Sequence, residues 1–199
     1  MKLIECKNIN IGDLRLDEDE LSRRLKSPTP LDSDMVKECL NRVMSVCRPR
    51  YCYAKTSVLH KGDGEIMTDF GIVRSVSLAR ALNGCNEAYV IALTLGIETD
   101  RLINTLSVTS GARAFAADAV SSALAEASAE YVNGLLSKRD VLKQRFSPGY
   151  GDFVLSYQRA VLSYLGADRF LGIKLGDNLM MTPRKSITAI CGICEGEKL

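Results

Sequence analysis

Apolar residues fill almost every position of Ala88-Tyr89-Val90-Ile91-Ala92-Leu93-Thr94-Leu95-Gly96. A run of that length without alternation predicts a strand buried on both faces. Gly111 to Ser137 carries a different period. Val120, Leu124, Ala127, Tyr131 and Leu135 recur at steps of three or four, which predicts one long Ala-rich helix with that stripe turned inward. Met35, Val36, Cys39, Leu40, Val43 and Met44 also repeat at helical spacing, and predict a helix capped by Asp32 or Ser33 and running to about Cys47. Shorter helices are predicted over Asp17 to Lys26, Ser77 to Leu82, Glu98 to Leu106 and Ser156 to Leu165. Ser27-Pro28-Thr29-Pro30 stops the first of these, and Gly84 lies just beyond the second.

The remaining patterns read as strands. Residues 1–12 alternate weakly, as a short edge strand does. Tyr51 to His60 predicts a strand, Lys61 to Glu65 a hairpin turn, and Glu65 to Val73 the returning partner. Ile173 to Leu175 and Ser186 to Ile193 complete the set. Strands and helices do not alternate regularly, which places the chain in the α+β class rather than among doubly wound sheets. With no internal repeat, low-complexity tract or linker, residues 1–199 are expected to form a single domain.

Composition narrows the function classes more than it changes the fold. Hydrophobic content of 46% and charged content of 25% are those of an ordinary globular protein. A net charge of +2 gives no reason to expect nucleic acid or an anionic membrane as a partner. No apolar run reaches the length of a membrane span, and Met1-Lys2-Leu3-Ile4-Glu5-Cys6 is not a signal peptide, so a cytoplasmic location is expected. Seven cysteines at scattered spacing argue against a disulfide framework. There is no P-loop, no G-x-G-x-x-G and no Ser-His-Asp set beyond chance.

Arg145-Phe146-Ser147-Pro148-Gly149-Tyr150-Gly151 is the segment richest in chemistry. Arg145 offers a rigid fork of donors that matches a carboxylate or phosphate. Pro148 fixes one backbone angle and removes a donor. Gly149 and Gly151 permit left-handed angles or close approach of a ligand to the backbone. Tyr150 adds a flat face and a hydroxyl. A Pro-Gly turn with its arginine in solvent is the plainer reading of the same residues. Glu126 and Glu130 lie four apart on the long predicted helix, share a face and repel. Neither has Lys or Arg three or four residues away, so they are either a solvated acidic face or carboxylates awaiting a cation from elsewhere.

Other candidates carry less. Cys191-Gly192-Ile193-Cys194 is a lone C-x-x-C, either a redox dithiol or two small apolar strand residues. On a strand its two cysteines face opposite sides. His60, the single histidine, sits beside a predicted turn and makes neither a metal site nor a triad by itself. No metal is expected. Arg184 and Lys185 belong to a turn before the last strand, with docking of an acidic partner as the alternative.

Four segments in order resemble the activation domain of cobalamin-dependent methionine synthase. The R-x-x-x-G-Y turn from Arg145 to Tyr150 is similar to that family's motif for binding S-adenosylmethionine. Leu124-Ala125-Glu126-Ala127-Ser128-Ala129-Glu130-Tyr131 resembles its L-A-E-A-x-A-E-Y helix. Gly172-Ile173-Lys174-Leu175-Gly176-Asp177-Asn178 resembles its G-x-x-L-T-E-S. Met180-Met181-Thr182-Pro183-Arg184-Lys185-Ser186-Ile187-Thr188-Ala189 resembles its M-x-P-x-x-S-V-S. The resemblance is good from about residue 86 to about residue 193 and vague over residues 1–85.

The resemblance implies a twisted antiparallel sheet flanked by helices. It implies that Glu126 contacts the cationic end of S-adenosylmethionine and that Arg145 takes its carboxylate. The backbone at Ser147 and Gly149 would meet the adenine or the methionyl part, and Tyr150 would pack beside it. Glu130 has no such counterpart and is expected to be structural. Two features depart from the family. Its adjacent tyrosine pair has no counterpart in residues 1–199, and its N-terminal aspartate is not assignable among Asp13, Asp17 and Asp19.

The function this implies is a reactivation subunit, inactive alone, that supports reductive methylation of cob(II)alamin. The partner, a methionine synthase or other corrinoid protein, would supply the cobalamin. A flavodoxin-like or ferredoxin-like protein would donate the electron. A non-catalytic docking module for a corrinoid protein is the alternative, which the missing tyrosines favour, and a redox protein working through Cys191 and Cys194 is a third reading.

Overall fold

A computed structural model describes residues 3–194. Strand β1 (Glu5–Asn8) is followed by helices α1 (Glu18–Leu25) and α2 (Asp34–Val46). Strands β2 (Arg50–Gly62), β3 (Glu65–Thr68) and β4 (Gly71–Arg74) come next, then α3 (Val76–Ala81) and β5 (Glu87–Thr94). Helices α4 (Ile97–Thr109) and α5 (Gly111–Ser137) precede α6 (Gln158–Leu165) and α7 (Ala167–Leu171). The chain ends in β6 (Lys174–Leu175), β7 (Met181–Thr182) and β8 (Ser186–Ile193).

The main sheet runs β4-β3-β2-β5-β8, with β1 beside the first half of β2. All its pairings are antiparallel. β2 is long enough to pair with β5 from Arg50 to Ser57 on one edge and with β1 and then β3 on the other. The α+β class and the antiparallel sheet flanked by helices, expected from the sequence, are what the structure has.

Side-chain alternation sorts the sheet's two faces. Tyr51, Tyr53, Tyr89, Ile91 and Leu93 point to one face and pack on Ala129, Val132 and Leu136 of α5. Cys52, Ala54, Val90, Ala92 and Ile190 point to the other and pack on α6 and α7 through Val161, Leu165 and Leu171. β5 is therefore covered on both sides, and that is why its sequence does not alternate. A third cluster, among α1, α2, α4 and the first half of α5, draws from the strands only on Ile187, with Leu95 just beyond β5. There the alanines of α5, from Ala114 to Ala125, let α2 and α4 approach closely.

Several expectations shift in detail. Val120, Leu124 and Ala127 are buried, but Tyr131 and Leu135 are only half-buried. Val132 and Leu136 take the deepest places, because the last turns of α5 leave the helical cluster and lie on the sheet. The single strand expected from Glu65 to Val73 is two strands. Thr68 Oγ1 donates to the Gly71 carbonyl at 2.7 Å and Gly71 adopts φ 123°, which turns the chain at Asp69-Phe70. β6 falls within the strand expected from Ile173 to Leu175, whereas α7 and β7 are each too short to show a period and were not expected.

After α5 the chain runs back along the outer edge of β8. Phe146 and Ile190 exchange backbone bonds at 2.8 Å in both directions. The Lys143 amide donates to the Gly192 carbonyl at 2.9 Å and the Cys194 amide to the Val141 carbonyl at 2.8 Å. This return path brings Arg145 back against the helix that carries Glu126 and Glu130.

Candidate functional site

Arg145 is the cation that the acidic face of α5 lacked. Its Nη2 lies 2.5 Å from Glu130 Oε1 and 3.7 Å from Glu126 Oε2. The Arg145 side chain is 18% exposed, while Glu126 and Glu130 are 43% and 67% exposed. The guanidinium is thus set into the surface with two open carboxylates over it. Glu130, expected to be only structural, makes the shorter contact of the two. The sequence signal for that contact is the like-charged pair at helical spacing with no local cation.

The turn that follows is tightly built. The Gly149 amide donates to the Phe153 carbonyl at 2.6 Å, Tyr150 to Ser147 at 3.1 Å and Phe153 to Tyr150 at 3.0 Å. Gly149 adopts φ 97° and Gly151 φ 54°, left-handed values that a side chain would strain. Phe153 is fully buried beneath the turn and stacks between Phe146, at 6.3 Å, and Tyr157, at 5.3 Å. Tyr150 meets the edge of Phe146 at 6.0 Å and is otherwise open, at 58% exposure.

Asp152, which sequence reasoning passed over, ties this turn to α3. Its carboxylate accepts from the Ser75 hydroxyl at 2.6 Å and from the amides of Val76 at 2.7 Å and Ser77 at 2.9 Å. These bonds, the Ser75 hydroxyl foremost, hold the carboxyl well below its ordinary value of 3.8. A depressed folded-state value gives stability that is full above the unfolded value and is lost as pH falls through the folded one. The thermal midpoint is therefore expected to drop below about pH 4, and to drop less steeply in Asp152→Asn. Equal slopes in thermal melts across pH 2 to 6 would count against the tie.

Two cavities meet at this turn. One, of about 360 Å³, is lined by Glu126, Glu130, Asn133, Gln144, Arg145, Ser147, Tyr150 and Ile187. The other, of about 270 Å³, shares Glu126, Ser147, Tyr150 and Ile187 and adds Leu155, Met180, Met181 and Arg184. Each is at or near the lower end of small-molecule sites, roughly 300 to 1,000 Å³, and together they form a polar lobe beside an apolar one. Glu126, Arg145, Ser147 and Tyr150 all line this space; Gly149 does not line it but shapes the turn. Asp13 lines a neighbouring cavity of about 370 Å³ with Glu130, whereas Asp17 caps α1 by accepting the Asp19 and Glu20 amides.

Cys191 and Cys194 diverge. Cys191 is buried on the α5 side, where its thiol donates to the Lys143 carbonyl and approaches Asn133. Burial pushes that thiol up to about 11. Cys194 has the opposite parity and neighbours Cys85. A thiol held protonated is a poor nucleophile. Iodoacetamide at neutral pH is expected to label exposed Cys6 well before Cys191, as read by peptide mass spectrometry; equal rates would restore the redox reading. Among the described residues, no group of three or more His, Cys, Asp or Glu is placed to hold a metal ion. No helix among them is long and apolar enough to cross a membrane.

Neither a protein-family model nor a curated protein matches the sequence. The structure is similar to a crystal structure of the MetH reactivation domain bound to AdoHcy, with a TM-score of 0.69 and 16% identity. The match covers 99% of this chain and 80% of that one. The likeness shows that the two share a fold.

Proposed function

We propose that residues 1–199 act as one activation-like domain that binds S-adenosylmethionine and reactivates a cobalamin-dependent methionine synthase in the cytoplasm. The observation that carries this reading is the Arg145 guanidinium set between Glu126 and Glu130 at a two-lobed cavity. S-adenosylmethionine has a carboxylate, an ammonium and a sulfonium. Its zwitterionic end matches one cation flanked by two carboxylates. The AdoHcy in the reactivation domain of the same fold is the demethylated form of that ligand.

In this reading Arg145 takes the ligand carboxylate through its planar fork. Glu126 answers the cationic end. The turn at Ser147 and Gly149 presents backbone to the ligand, and Tyr150 closes over it. When docked, the partner's corrinoid supplies a cobalt centre that accepts the methyl group once a flavodoxin-like or ferredoxin-like donor has supplied an electron. The task of this chain's residues is to hold the methyl donor in line, since catalysis of that kind rests on positioning. Titration of S-adenosylmethionine into the wild type and Arg145→Ala by calorimetry tests the site.

A second reading has an observation of its own. Arg145 is already engaged by Glu130 at 2.5 Å, and Tyr150 and Met180 leave apolar surface exposed around the cavity. A non-catalytic docking module for a corrinoid protein would use that surface without the methyl donor. The two readings separate on whether binding to a cobalamin-loaded partner depends on S-adenosylmethionine.

A further inference from the structure

Asp100 lies in α4 at 5% exposure and belongs to none of the groups above. Its Oδ2 accepts the backbone N–H of Arg184 at 2.8 Å. Its Oδ1 is buried without a hydrogen-bond partner and lies 3.8 Å from Arg184 Nε. Asn104, one turn further along α4, accepts from Arg184 Nη2 at 3.3 Å. A buried carboxylate persists where a cation and a donor compensate it. α4 and the corner before β8 therefore hold each other. The same corner is pinned by the Ser186 hydroxyl, 2.7 Å from the Pro183 carbonyl, and by Lys185 Nζ, 2.8 Å from Asp118.

The Arg184 side chain, 49% exposed, is held between buried Asp100 and exposed Asn104 of α4, and Arg184 lines the apolar lobe. Its distance to Asp100 Oδ1 is too long for a hydrogen bond, so Asp100 steers it by charge while Asn104, at 3.3 Å, accepts its hydrogen bond. Tyr150, Met180, Met181 and Leu155 line the same lobe. Arg184 is the one cation among the residues lining that lobe. Aromatic and thioether groups pack favourably against the face of a heterocycle. A planar guanidinium adds donors for ring nitrogens and ribose oxygens, and it stacks on aromatic faces.

We propose that Arg184, set in place by Asp100, is the specificity-determining residue that reads the nucleoside half of the ligand, an inference that rests on the S-adenosylmethionine reading above. Arg145 and its glutamates take the amino-acid end, and Arg184 takes the other. The two lobes of the cavity then correspond to the two halves of one molecule. Asp100 acts as a positioning residue.

The test uses two ligands, S-adenosylhomocysteine and 5′-methylthioadenosine, which keeps the nucleoside and lacks the amino-acid end. Both are titrated by calorimetry into the full chain, Arg184→Met and Arg145→Ala. Arg184→Met is expected to weaken both ligands about tenfold or more, as loss of a hydrogen bond to a charged group does. Arg145→Ala is expected to weaken only S-adenosylhomocysteine. A purely structural role for Arg184 would not produce that crossed pattern. Because Arg184→Met leaves Asp100 buried without its cation, the doubly neutral Asp100→Asn/Arg184→Met variant is measured alongside, with folding checked by circular dichroism. Methylthioadenosine bound equally well by the wild type and the folded Arg184 variants overturns the inference alone. A wild type that binds neither ligand overturns it together with the ligand reading.

Discussion

If the proposed reading holds, Arg145→Ala is expected to lose affinity for S-adenosylmethionine by about a hundredfold, with reactivation of a partner synthase falling alongside. Two effects add. The charge-assisted fork to the ligand carboxylate is gone. Glu126 and Glu130, no longer neutralised, then repel that same carboxylate across the polar lobe. The fold survives, because the pairs being removed involve carboxylates that are 43% and 67% exposed. Ion pairs so open to water contribute about 0 to 1 kcal/mol. In a chain of 199 residues that corresponds to a shift in Tm of no more than about 4 °C. Calorimetry and a thermal melt on the same preparation decide the matter. A variant that binds and reactivates like the wild type ends the ligand reading, whereas a wild type that gives no heat favours the docking module.

Phe153→Ala is expected to have the largest effect on stability. The ring is fully buried and stacks between Phe146 and Tyr157 beneath the Arg145–Gly151 turn. Truncating a buried phenylalanine costs about 3 to 5 kcal/mol, part for lost transfer and part for the cavity left behind. The Phe153 backbone closes the turn on both sides, by its bonds with Gly149 and Tyr150. A collapse around the missing ring would therefore move Tyr150 and Ser147 as well. Denaturant unfolding should show a lower midpoint with an unchanged slope, and ligand affinity should fall in the protein that remains folded. A loss of stability under 1 kcal/mol would mean that the aromatic stack is not what supports the turn.

What the sequence made legible follows the range of its signals. β5 and α5 announce themselves because burial repeats over 8 and 27 residues, with few competing patterns. β7 holds two residues, below any period, and is defined only by its pairing with β6, whose position at Ile173 to Leu175 was legible. The residues of the site were legible as types. Arg145, Gly149 and Tyr150 are costly choices for a simple turn, and Glu126 and Glu130 repel without a local cation. Their assembly was not legible, since the Arg145–Glu130 bond spans 15 residues and depends on the return of the chain along β8. Asp152 and Asp100 were missed for a related reason. Each acts through a backbone amide far away in sequence, at separations of 75 and 84 residues, which no local pattern records.

The return path has a consequence for solubility. β8 ends the sheet on its side, and eight residues of unpaired backbone there would offer a template to any extended chain. The stretch from Val141 to Phe146, which covers the C-terminal part of this edge at Ile190 and Gly192, is the one that delivers Arg145. The segment that presents the arginine is thus also a guard against edge-to-edge aggregation. Changes that swing it away from β8 are expected to lower solubility.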